Sequence, residues 1–253
     1  MYELNHFGIV VKDVDASQAF YQSLFGAETI FHKPVIGGTM DIFYLQIHGG
    51  LIELLYTPDG PGPHGVTHVA FLTDDLDGDH AALVAAGYHS FVAPKVAGTG
   101  VGRLAFVADP NGTRVELIQR EGAMRVPPIP HPLVTRLDHY ALYAPDSAGS
   151  DDFYVRHAGM TPEAGGCDEV SRRLARGYDV LELIGQPAPA GATPFAHIAL
   201  QVTSVEAALA HVAAAGYEAV PADGAGRRMG LVRDPDGVEI RLVEAALAAE
   251  AAQ

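Results

Sequence analysis

The stretch LNHFGIVVKDV, residues 4 to 14, returns three more times along the chain. VTHVAFLTDDL carries His68, LDHYALYAPDS carries His139, and FAHIALQVTSV carries His197. Each copy sets a His at the start of a short apolar run, followed by a polar breaker and a helix-like segment. A unit that recurs in this way constrains the architecture before any single residue is interpreted. The units also close alike. An apolar strand bears an acidic residue in LIELL (Glu53), VELI (Glu116) and LELI (Glu182), whereas the fourth copy, IRLV, has Arg241.

Between these landmarks the pattern reads strand, helix and three strands in each module. In module one a strand at Leu4 to Val11 precedes Asp13 and Asp15, which offer N-cap carboxylates. Ala16, Ala19, Phe20 and Leu24 then keep helical apolar spacing, and Gly26 stands where a helix ends in the left-handed region. Strands are expected at about 28–33, 39–47 and 50–56, with a turn at Gly49-Gly50. Module two repeats the order from residue 66, with a helix over AALVAAG closed by Gly87. Its last two strands are joined by Asp109-Pro110-Asn111-Gly112, a turn in which Pro presets φ and Gly accepts a positive φ. Module three places a helix near Ser150 to His157, and module four a helix over Val205 to Ala215. The second Asp-Pro turn, Asp234-Pro235-Asp236-Gly237, leads into the last strand. The tail EAALAAEAAQ is expected to form a frayed helical end.

The four modules make an α+β chain of two tandem domains, residues 1–120 and 136–253. The connector over 121–135 (EGAMRVPPIPHPLVT) holds four prolines and favours an extended, semi-rigid course. A chain of 253 residues has room for two cores. The net charge of −15 repels nucleic acid and anionic membranes, so neither is expected as the main partner. No apolar run is long enough to span a bilayer, and the first strand begins almost at Met1, leaving no signal peptide. The single cysteine, Cys167, permits no internal disulfide. Together these features point to the cytoplasm. Cys167 itself sits in AGGCDEV and reads as an incidental loop residue. The histidines that do not recur, His32, His48, His64, His80, His89, His131, His157 and His211, read as surface or loop residues.

Side chains alternate along a strand, so one His and one Glu per module can face the same side of a curved sheet. Pairing two modules gathers two imidazoles and two carboxylates, a donor set suited to Zn, Ni, Co, Mn or Fe(II). The acidic residue follows its His by 47, 48 and 43 positions, and Arg241 follows His197 by 44. Residues without a shared role have no reason to keep one place in the module. No phosphate-cradling Gly loop or nucleophile elbow is present, so no nucleotide cofactor is expected.

These His-bearing strands, the IELL strand and the DPNGTRVELI segment resemble the vicinal oxygen chelate superfamily over nearly the whole chain. That superfamily includes glyoxalase I, methylmalonyl-CoA epimerase, extradiol dioxygenases, and fosfomycin and bleomycin resistance proteins. The resemblance implies curved mixed sheets that cup a cleft and one divalent ion per chain. By the same resemblance the metal ligands fall on His6, Glu53, His68 and Glu116. A second set, His139, Glu182, His197 and Arg241, is degenerate, since a guanidinium repels a cation. Glu239 stands one pleat from Arg241 and is not expected to replace the ligand. Arg241 then either holds an anionic substrate group or pairs with a retained Glu. If the modules pair in the crossed manner of some fused glyoxalases, the complete set becomes His68, Glu116, His139 and Glu182.

A complete set of two His and two carboxylates resembles the glyoxalase and epimerase branch. It implies a lyase or isomerase acting on a small substrate with vicinal oxygens through an enediolate-type intermediate, with Glu116 or Glu53 as the base. An Fe(II) extradiol-type ring-cleaving dioxygenase is the alternative, and a small-molecule binding or antibiotic-resistance protein a further one. The oligomeric state is left as monomer or homodimer.

Overall fold

The computed structural model describes residues 1–60, 62–167, 171–224 and 227–244. Sixteen strands and four helices among them follow the four-module order. Module one is β1 (Glu3–Val11), α1 (Val14–Phe25), β2 (Glu28–Val35), β3 (Met40–Ile47) and β4 (Gly50–Tyr56). Module two is β5 (Gly65–Leu72), α2 (Leu76–Ala85), β6 (Ser90–Val96), β7 (Arg103–Ala108) and β8 (Arg114–Gln119). Module three runs β9 (Val134–Tyr143), α3 (Ser147–Ser150), β10 (Thr161–Cys167), β11 (Ser171–Arg176) and β12 (Asp179–Ile184). Module four runs β13 (Phe195–Val202), α4 (Val205–Ala214), β14 (Ala219–Gly224), β15 (Arg227–Arg233) and β16 (Glu239–Glu244).

Helix ends follow their local chemistry. The Asp13 carboxylate accepts from the Ala16 amide at the start of α1, and Gly26 closes that helix at φ 66°. Asp75 caps α2 through the Gly78 amide. Module three departs from an ordinary helix: α3 continues as a π-helical stretch over Asp151–His157 before Gly159 turns the chain. Cys167, expected in a loop, is instead the last residue of β10. The C-terminal tail from residue 245 lies outside the described residues.

Two eight-stranded mixed sheets result, ordered β2-β3-β4-β1-β5-β8-β7-β6 and β10-β11-β12-β9-β13-β16-β15-β14. In each, the first strands of two successive modules pair antiparallel at the centre, β1 with β5 and β9 with β13. Each first strand also pairs parallel with the last strand of its own module. Modules therefore pair within each half of the chain. The crossed set of His68, Glu116, His139 and Glu182 is divided between two sheets, because the backbone ladder joins β5 to β1 and not to β9.

One face of each sheet packs into a single continuous core. Phe7 of β1 stacks on Tyr140 of β9 with ring centroids 4.4 Å apart, and the Tyr140 hydroxyl reaches the Leu51 carbonyl. The Asp-Pro turns join the halves again. The Tyr21 hydroxyl of α1 donates to Asp234 at 2.8 Å, and the Tyr154 hydroxyl donates to Asp109 at 3.0 Å. Each of these carboxylates also holds its own turn through backbone amides, Asp109 through Asn111 and Thr113, Asp234 through Asp236 and Val238. Because neighbours alternate across a strand, the residues next to those core positions face away from it, and the recurring His and Glu residues are among them.

Candidate metal centre

The same strand register recurs four times. Glu53 lies beside Gly8, Glu116 beside Ala70, Glu182 beside Ala141 and Arg241 beside Ala199. In every case the partner stands two residues beyond the module's His. The unequal sequence separations therefore reflect loop lengths alone, and Arg241 does occupy the fourth carboxylate position.

In the first sheet this register gathers His6, Glu53, His68 and Glu116, all buried, with one potential ligand atom from each within 4.8 Å of the others. His6 Nε2 stands 3.6 Å from both Glu53 and Glu116, and His68 Nε2 stands 3.3 and 3.4 Å from the same carboxylates. Both Nε2 atoms are buried without a hydrogen-bond partner. Buried polar atoms are normally satisfied, so two orphaned nitrogens facing two carboxylates suit a cation as their common partner. Ligand atoms held roughly 2.1 Å from one ion are themselves roughly 3 Å apart, which the donor set here approaches. The residues present fit a divalent cation.

The residue before each His orients the ring, a feature not used in the reading of the sequence. His6 Nδ1 donates to Asn5 Oδ1 at 2.9 Å. The Thr67 hydroxyl donates to the Gly8 carbonyl and accepts from His68 Nδ1 at 3.1 Å. Each contact holds the proton on Nδ1 and leaves the Nε2 lone pair free, as ligation requires. Burial works to raise the Glu53 and Glu116 carboxyls, but the facing imidazoles of His6 and His68 hold both below their ordinary value. Burial likewise disfavours the charged His68 ring, yet Glu116 and Glu53 outweigh it and push the imidazole up to about 9.

Around this cluster stand Tyr44, whose ring meets that of His6 edge-on, and Phe106, which meets His68 in the same way. Arg120 donates to Tyr44 Oη at 3.1 Å and to Asn5 Oδ1 at 2.7 Å.

The second sheet brings together His139, Glu182 and His197, with the Arg241 charge acting on His197 in place of a fourth carboxylate. His139 Nδ1 lies 2.7 Å from Asp138 Oδ2, while its Nε2 lies 3.0 Å from His197 Nε2 and 3.1 Å from Glu182. Arg241 turns to Glu239 at 2.9 Å, so of its two expected roles the structure shows the ion pair. Glu239 is thereby engaged by the guanidinium and does not replace the lost ligand. Module four also lacks the orienting residue. Ala196 precedes His197, whose Nδ1 is buried without a partner. Burial, with the positive charge of His139 and Arg241, pulls the His197 imidazole down to about 3.

A profile of the Glyoxalase/Bleomycin resistance protein/Dioxygenase superfamily matches residues 3–117 and 136–242. The uncharacterized protein YwbC of Bacillus subtilis (strain 168) is 27% identical over 123 residues, covering 46% of this chain and 97% of that protein. Among solved structures, the Mn(II)-bound glyoxalase from Novosphingobium aromaticivorans superposes with a TM-score of 0.72 at 17% identity, covering 96% of this chain and 82% of that one. The 2,3-dioxygenase LapB from Pseudomonas sp. KL28 gives 0.70 at 16% identity, with 97% and 92% covered. A variant of homoprotocatechuate 2,3-dioxygenase from Brevibacterium fuscum gives 0.69 at 19% identity, with 96% and 71% covered. At these identities the structural likenesses establish the fold. No helix among the described residues is long and apolar enough to cross a membrane. With both halves matched by one profile and folded alike, the chain belongs to the Glyoxalase/Bleomycin resistance protein/Dioxygenase superfamily as two tandem domains.

Proposed function

We propose that the protein is a divalent-metal-dependent lyase or isomerase of the glyoxalase and epimerase type, acting on a small substrate with neighbouring oxygen atoms. The observation that carries this reading is the buried set of two His and two Glu with both Nε2 atoms unpartnered. His6, His68, Glu53 and Glu116 would hold the ion. When bound, it would act as a Lewis acid on a carbonyl oxygen and ease loss of a proton from the adjacent carbon.

The chain's own contribution is the proton transfer. Glu116 and Glu53 are both kept ionised by the imidazoles, so either can accept a proton, and Glu116 stands opposite Phe106 on the strand face that also carries Arg114. Asn5 and Thr67 hold the imidazoles in the ligating tautomer, and Tyr44 and Phe106 restrict water at the cluster.

A second reading, an extradiol-type ring-cleaving dioxygenase, draws on the dioxygenases among the structural neighbours and on the cluster of His139, His197 and Glu182. Arg241 at the fourth position and the unanchored His197 weigh against chemistry there. Metal content per chain, measured after loading with Ni, Zn, Co, Mn and Fe(II), tests the proposal. One tight ion, lost in His6→Ala and kept in His139→Ala, is the expected result. Retention of the ion by the second cluster alone would overturn it.

A further inference from the structure

Arg114 stands beside the first centre without a role in holding its four ligands. It begins β8 two residues before Glu116, so both side chains leave the same face of the sheet. Its guanidinium carbon lies 4.1 Å from the centroid of the Phe106 ring and 5.4 Å from that of Phe91. Phe106 in turn stands opposite Glu116 in the β7–β8 ladder and meets the His68 ring. An arginine seated in this way on aromatic faces keeps its N–H edge free. Arg114 is half-buried, and it makes no hydrogen bond or ion pair among the described residues.

The charge around the cluster sharpens the point. A divalent ion would offset Glu53 and Glu116. Arg114 would then remain beside the cluster with no carboxylate of its own, on a protein whose net charge is −15. Arg120, on the other side of the cluster, has only the neutral Tyr44 and Asn5 as partners, and its Nε is buried with none. The positions equivalent to Arg114 in the other modules are Leu51, Val180 and Glu239, so the cation belongs to module two alone.

We propose that Arg114, seated against Phe106 and Phe91, binds an oxyanion of the substrate, a carboxylate in the simplest case, while the oxygens that react sit at the four-ligand centre. Two residues of strand separate the Arg114 and Glu116 positions by roughly 7 Å. The substrate is therefore an anion whose charged group lies about one ring or three to four bonds from its reacting atoms. The inference rests on the metal reading only for that spacing, since the guanidinium site itself needs no ion.

The test compares three probes by calorimetry on the full chain: 3,4-dihydroxybenzoate, catechol and benzoate. In Zn-loaded wild-type protein the carboxylated diol is expected to bind about ten-fold or more tighter than catechol, the size of one charged hydrogen bond. Arg114→Met removes that preference while catechol affinity and bound zinc stay unchanged, and Arg114→Lys restores part of it. Benzoate reads the guanidinium in metal-free protein, where it should bind wild type and not Arg114→Met. Failure of the metal reading shows separately, as loss of the ion with benzoate binding intact. No preference in the wild type, or one that survives Arg114→Met, overturns the assignment.

Discussion

His68 occupies the space that a side chain at Gly8 would need: a Cβ built on Gly8 would lie 1.9 Å from His68 Cε1. Gly8 and His68 face one another across the β1–β5 ladder, and the missing Cβ lets the imidazole lie over the neighbouring strand. The equivalent positions in the other modules are Ala70, Ala141 and Ala199, which carry the methyl group that Gly8 lacks.

Gly8→Ala should therefore expel His68 from the cluster while leaving the sheet intact. The backbone here is extended and accepts alanine readily, so the cost falls on the ring. Metal affinity is expected to drop by at least ~10–100-fold, as for a displaced ligand or its supporting contact. Circular dichroism should be unchanged, and metal content after dialysis provides the check. Full retention of the ion would mean that His68 does not ligate.

Glu116→Gln keeps the shape of the carboxyl and removes its basicity. Turnover is expected to fall ~10²–10⁴-fold, the usual contribution of a positioned base, with a much smaller change in substrate binding. Single-turnover kinetics beside equilibrium titration separate the two effects. Unchanged turnover would remove Glu116 from the proton transfer, and an equal loss in Glu53→Gln would show that both carboxylates share it.

In the metal-free protein, His68 is raised from its ordinary 6.5 to about 9. Below pH 6.5 both folded and unfolded chains carry the proton, and the attraction to Glu53 and Glu116 contributes fully to stability. Between 6.5 and about 9 only the folded chain keeps it, so stability falls by up to about 1.4 kcal/mol per pH unit and the contribution is gone above that range. Urea denaturation of metal-stripped protein at several pH values should show this decline. Metal uptake in the same window should release a proton, which titration in buffers of different ionisation enthalpy would detect.

Arg241→Glu restores the fourth carboxylate at the register shared with Glu116. Removing the guanidinium also relieves a repulsion acting on His197. The bound ion should rise from about one per chain toward two, with weak retention because Ala196 leaves His197 unoriented. Adding Ala196→Thr should tighten the second ion. Inductively coupled plasma analysis of the two variants checks both steps, and a single ion in each would show that charge at position 241 does not limit the second cluster.

Much of this was legible because a strand ladder preserves register whatever the loops do. Separations of 47, 48, 43 and 44 residues hide one geometry, and the repeat exposes it. Module pairing was not legible, since nothing in the four first strands states whether β5 bonds to β1 or to β9. The orienting residues Asn5, Thr67 and Asp138 stood in plain view before their histidines. They went unread because adjacent strand residues ordinarily face opposite ways, and bulges such as the one between Leu4 and His6 relax that rule. Cys167 was misplaced because a Gly-rich segment resembles a loop when strand propensity is the only guide. Nothing in the sequence sets Arg114 apart from other polar residues, and its seat on Phe106 distinguishes it.

The paired latches, Tyr21 on Asp234 and Tyr154 on Asp109, give the molecule an approximate two-fold axis between its halves. A half-length polypeptide that assembled in the same way would be a symmetric dimer, and any substitution in it would strike both centres at once. Joining the halves into one chain breaks that bond between copies. One centre can then hold four ligands while its twin carries Arg241 at the carboxylate position and Ala196 before its second His. The half with Arg241 still serves the other, because the latches and the Phe7–Tyr140 stack make it the wall against which the first sheet packs.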